Sequence, residues 1–384
     1  MHEDGDSGLR ARRRPRCRDP RRGRRYGGRG PDRRRDRDLS DRRNNFDALR
    51  FCAAASVIFS HAFLIAEGSE GNEWFARLTG GQTILGLVGV FVFFTISGYL
   101  VTGSYLSTGS AGRFALKRGL RIFPGLWVNL LVVGLLLGPA ISRLPLGEYL
   151  ADPGLRDFFR NNVLLEATDT PLPGVMFSGN DAGRIVNGAL WTLRYELMMY
   201  VMVLLLGLAG LLRLWVCLAL VAVGIAGIYF EQALTDWGDL GEWAWLVGFF
   251  AAGMTMRFLG DGWRDGRLAL AAAVGLVVSA WLHVFIMLFP VFGGYLVIYL
   301  AEAHSRRLDF LSRAGDLSYG LYIYGWPIEQ AVAWASGGRL AWWQLFLISL
   351  ALAILAATAS WHGVERWALR LGHRRPVQLP AGGS

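Results

Sequence analysis

The chain has 384 residues, 53% of them hydrophobic, with 15 Trp and 22 Phe, and its mean hydropathy is positive. That apolar share exceeds the share in an ordinary soluble domain and points to a lipid bilayer. The formal charge of +10 looks like a nucleic-acid signal only until it is divided: residues 1 to 43 hold 17 Arg against 8 acids, and the other 341 hold 23 Lys plus Arg against 22 acids. The body is almost neutral, so nucleic acid is not an expected partner.

The tail, residues 1 to 43, is rich in Arg, Gly, Pro and Asp and poor in aliphatic side chains. Such a segment cannot bury enough surface to offset its ordering entropy and is expected to be disordered. With no apolar stretch in it, it does not read as a signal peptide. Cys17, Cys52 and Cys217 have no paired spacing, so neither a disulfide framework nor a metal site is expected.

A helix needs about 20 apolar residues to cross the hydrocarbon core. Apolar runs of that order lie near 48 to 66, 83 to 102, 122 to 141, 189 to 206, 214 to 230, 241 to 256, 317 to 335 and 341 to 361. A longer run covers 268 to 301. At about 1.5 Å per residue it would reach about 51 Å, too long for one crossing. Division near Trp281 to Val284 gives two short spans and ten in all. Charge supports an even count, because Lys and Arg collect on the cytoplasmic side. With the tail inside, the inner connections carry 15 Lys plus Arg and the outer ones 6. The expectation is an all-α integral membrane protein of about ten helices with both termini cytoplasmic. Its parts are a tail at 1 to 43, a transmembrane domain at 44 to 370 and a short tail at 371 to 384. The longest connection, 142 to 188, would form an external cap.

Ionisable groups within spans are costly and are therefore candidates for function. Arg50 and His61 lie on one face of the first span, about 16 Å apart along its axis. Arg50 alone reads as a snorkelling interfacial arginine. His61 alone reads equally well as a buried structural histidine. In the fourth span Glu196 falls at a depth similar to His61, where a carboxylate facing the imidazole would set its tautomer for general-base work. Arg118 and Arg121 are three residues apart, on one helical face at the cytoplasmic mouth. They suit membrane anchoring, and their forked donors equally suit phosphate oxygens.

Six stretches in order, NNFDALRFCAAASVIFSH, GVFVFFTISGYLVTG, RGLRIFPGLW, WTLRYELMMY, LSYGLYIYGWP and HGVERW, resemble the acyltransferase-3 family of membrane O-acyltransferases. The resemblance covers about residues 44 to 370. It departs at Gly325, where many members carry a histidine before the Trp-Pro pair. The resemblance implies an enzyme of the bacterial inner membrane that moves an acyl group, with acetyl the first expectation, from acetyl-CoA or another acyl-CoA to a hydroxyl of a glycan or lipid-linked sugar. It places Arg50, Arg118 and Arg121 on the donor's phosphates and His61 with Glu196 in catalysis. Ser97 is read as a packing residue rather than a nucleophile. A transporter or flippase for a glycan or anionic lipid is the alternative, and the absence of an internal repeat weighs against it.

The charge bias yields a direct topological expectation. Reporters fused after Ser384 or before Asn44 should read as cytoplasmic, and one inserted near Gly179 should read as external. A C-terminal reporter found outside would require an odd number of crossings.

Overall fold

The computed structural model describes residues 44–167, 170–177, 181–230, 239–260, 262–303, 305 and 315–373. The segment 1–43 and residues 374–384 lie outside the described residues, and with them the expectations for both tails. Among the described residues all regular structure is helical. Ten main helices occupy the ten apolar runs: α1 Phe46–Glu67, α2 Leu85–Thr108, α3 Ala111–Val132, α4 Trp191–Leu208, α5 Leu214–Tyr229, α6 Asp239–Leu259, α7 Gly266–Trp281, α8 Phe285–Glu302, α9 Ser318–Ala335 and α10 Trp342–Ser360.

Among the described residues, six helical segments are long and apolar enough to cross a membrane by length and composition alone. They contain α1, α2, α3, α4, α8 and α10. Helices α5 and α7 are apolar but have only 16 residues each. Helix α9 differs for a physical reason. Thirteen of its 18 residues are buried on all sides, so it meets protein where an outer helix meets lipid and can carry Tyr, Glu and Gln. The long run does divide: α7 ends at Trp281, α8 begins at Phe285, and His283 between them takes a left-handed φ of 58°.

Helix α3 starts eleven residues before the expected span, capped by the Ser110 hydroxyl accepting from the Arg113 amide. Arg118 and Arg121 therefore stand on a continuous helix. Beyond Val132 the helix widens into a π turn at Val133–Leu137 and ends at Ile141. The Tyr149 hydroxyl from the following connection donates to the Gly134 carbonyl at 2.7 Å.

Pro327 lies inside α9 and removes the amide that would bond the Ile323 carbonyl. Two buried asparagines fill the vacancy. Asn129 of α3 donates to that carbonyl at 3.0 Å and Asn187, just before α4, at 2.9 Å. Satisfying this group ties α3, α9 and the end of the long connection together, since an unmet buried acceptor would cost about 1–3 kcal/mol.

Helices α2 and α6 touch backbone to backbone. A Cβ on Gly98 would fall 1.9 Å from the Phe250 carbonyl oxygen, and one on Gly253 would fall 1.9 Å from the Thr95 carbonyl oxygen. Close approach through small residues is how helices pack tightly where water supplies no drive. Gly253→Ala should therefore destabilise the protein by about 1–3 kcal/mol, whereas Gly112→Ala, with open space around its Cβ position, should not. Thermal unfolding in detergent compares the two, and equal melting would show that the α2–α6 crossing tolerates separation.

Candidate active site

One end of the bundle is organised by Asp316, two residues before α9. Its Oδ2 accepts from Arg50 of α1 at 3.2 Å and from Arg121 of α3 at 2.6 Å, and the Ser318 hydroxyl donates to Oδ1. Burial pushes the Asp316 carboxyl up, but Arg121 and Arg50 outweigh it and hold the group at about 2. It is therefore ionised at neutral pH, and one negative charge serves two guanidiniums. Arg118 is different. Its Nη2 reaches the Ser104 hydroxyl at 3.5 Å and its guanidinium lies 5.7 Å from the Tyr200 ring centre. Among the described residues it forms no ion pair.

A cavity of about 70 Å³ rises from these arginines between α1, α2, α3, α4 and α9. Arg50, Arg118, Arg121 and Glu196 all line it. Glu196 Oε1 accepts from the Ser97 hydroxyl of α2 at 2.9 Å and from the Tyr200 hydroxyl at 2.5 Å. Further along, Thr192 and Tyr322 share a hydrogen bond of 2.6 Å. Ser97, read from sequence as a packing residue, thus has a carboxylate partner inside the cavity.

His61 does not line this cavity. Its Nδ1 lies 3.6 Å from Glu329 Oε2 of α9, and its ring meets Trp326 edge-on at 4.6 Å between centres. The expected facing of His61 by Glu196 is therefore corrected: the carboxylate beside His61 is Glu329, and Glu196 bonds Ser97 and Tyr200. The reason is packing. Helix α1 lies against α2, α9 and α10, whereas α4 lies against α2 and α3. Equal depth in two helices does not place them face to face.

Gly325 has a local explanation. A Cβ there would fall 2.8 Å from Cγ1 of Ile58, so the bare backbone lets α1 and α9 approach closely. The connection before α4 covers the same end, its Ile185 carbonyl accepting from Trp326 Nε1 at 2.9 Å and from Gln330 Nε2 at 3.3 Å. Sequence reasoning missed Asp316 and Glu329. Glu329 had a signal, being an ionisable residue within an apolar run; Asp316 sits in a connection and had none.

An acyltransferase domain profile matches residues 43–362. The chain belongs to the acyltransferase-3 family. This acyltransferase is 30% identical over 373 residues to nodulation protein 10 of Rhizobium leguminosarum bv. viciae, covering 86% of this chain and 95% of the relative. It is 25% identical over 336 residues to an O-acetyl transferase of Shigella phage Sf6, covering 84% and 95%. No solved structure gives a significant match. The family and the multiple apolar helices make it a multi-pass membrane enzyme.

Proposed function

We propose that this acyltransferase carries an acetyl group from acetyl-CoA to a hydroxyl of an envelope or exported glycan, in a bacterial inner membrane crossed ten times with both termini cytoplasmic. The observation that carries the reading is Arg118, a guanidinium lining the cavity that forms no ion pair among the described residues. Forked donors of fixed charge suit phosphate oxygens. The donor's phosphates would rest on Arg118 with Arg50 and Arg121 beside it, and only its thin arm would enter. Glu196 would accept from an amide of that arm. The name of the phage relative, O-acetyl transferase, supports acetyl as the group and oxygen as its destination.

About 16 Å of helix separates Arg50 from His61, a span that an extended donor arm must cover for His61 to act. His61 would take the proton from the acceptor hydroxyl as its oxygen attacks the thioester carbonyl. The tetrahedral adduct then collapses, the carbon–sulfur bond breaks, and the proton held by the imidazole passes to the departing sulfur. The acceptor gains an ester and the donor leaves as free thiol.

NMR of surface glycan from cells with and without the protein tests this. Acetyl ester signals should vanish without it and return on complementation. His61→Gln, which keeps hydrogen bonding but not basicity at neutral pH, should fail to restore them at equal membrane abundance, since a positioned base contributes about 10²–10⁴ in rate. Normal acetylation by His61→Gln would remove the base assignment. Unchanged glycan in cells lacking the protein would remove the acceptor class.

A further inference from the structure

The outer end of the α1–α9 contact holds a carboxylate with no role in the mechanism above. Glu329 is wholly buried, and among the described residues neither of its oxygens accepts a hydrogen bond. Gln330 beside it is equally buried, but its amide bonds the Ile185 carbonyl. A carboxylate in such surroundings is costly unless a cationic or donating group faces it. His61 is that group, with Nδ1 3.6 Å from Oε2. Nδ1 is itself buried without a hydrogen bond, while 14% of the His61 side-chain surface stays open. The open edge of the ring is therefore away from Glu329.

We propose that Glu329 is the positioning residue for His61, holding the proton on Nδ1 and leaving Nε2 bare toward the acceptor. The inference rests on the reading of His61 as the base. A shift of a few tenths of an ångström converts the contact into an N–H to carboxylate hydrogen bond, and catalytic bonds commonly tighten when substrate binds. Trp326 packs edge-on against the imidazole and is fixed by its bond to the Ile185 carbonyl, so ring rotation is restricted from a second side. When the imidazole gains the acceptor's proton at Nε2, Glu329 faces the cation that forms. A carboxylate does this without itself becoming protonated. Glu196 lies against Ser97 and Tyr200, whereas Glu329 is the carboxylate beside His61.

The test uses the full chain in lipid nanodiscs with nitrogen-15 histidine, the His61 resonances being identified by their loss in His61→Gln. The unmodified protein should show a protonated Nδ1 and a bare Nε2. Glu329→Gln, whose amide can offer an N–H to Nδ1, should shift His61 toward the opposite tautomer. In the same variant the rate of acetyl-CoA consumption by membranes containing the glycan should fall by about 10²–10⁴, with KM for acetyl-CoA essentially unchanged. A His61 protonated at Nε2 in the unmodified protein would overturn the proposal, and this reading does not depend on the variant folding. So would an unchanged tautomer and rate in Glu329→Gln. The two layers separate cleanly. A tautomer that follows Glu329 in a protein that transfers no acetyl group keeps the pair and sinks the acetylation reading. Transfer lost in His61→Gln but intact in Glu329→Gln keeps that reading and sinks the pair.

Discussion

The contact between α1 and α9 is the constraint on which the rest of the site depends. Each of its ends joins a basic group of α1 to a carboxylate: Arg50 meets Asp316 at one end and His61 lies beside Glu329 toward the other. The two helices run in parallel register, eleven residues apart on α1 and thirteen on the other strand of chain. Gly325 makes the approach possible by leaving room for Ile58. A Cβ at that position would require the Ile58 side chain to shift. The proposed donor site and the proposed base are thus held by one helix contact, which explains how groups about 16 Å apart can be set with a fixed relation.

Helix α9 has to be buried to do this, and burial creates demands that the surrounding helices meet. Its proline frees the Ile323 carbonyl, which Asn129 and Asn187 satisfy. Its Tyr322 hydroxyl finds Thr192, and Tyr319 donates to the Ile122 carbonyl at 2.6 Å. In a low-dielectric interior an unsatisfied group is expensive, so each bond also fixes where a neighbouring helix sits. Asn187 and Ile185 both belong to the connection before α4. That connection is accordingly part of the core around the proposed base as well as a cover for it.

The positions of the apolar helices were legible because hydrophobic runs of limited length stand out in the sequence, and length alone divided 268 to 301 where His283 turns the chain. The shared face of Arg50 and His61 was legible from helical periodicity alone. Partners across helices were not. Counting along the spans puts His61 and Glu196 at comparable depth, but rotation of each helix about its axis is set by packing, and α4 turns its carboxylate to Ser97. Asp316 was hidden because a carboxylate in a connection looks like any solvated charge until the structure brings it to two arginines. Helix α9 was found as a run, yet its polar residues give it a character closer to a core helix than to a lipid-facing one.

The most direct test of the account is an electron cryomicroscopy structure of the protein in nanodiscs with acetyl-CoA bound. The account predicts phosphates against Arg118, with the Arg50–Asp316–Arg121 cluster beside them, the arm passing Glu196, and the thioester next to His61. Phosphates bound away from Arg118 would contradict the assignment of the donor site. A thioester held at Ser97 and Glu196, out of reach of His61, would move the chemistry to the serine and end the case for histidine as the base.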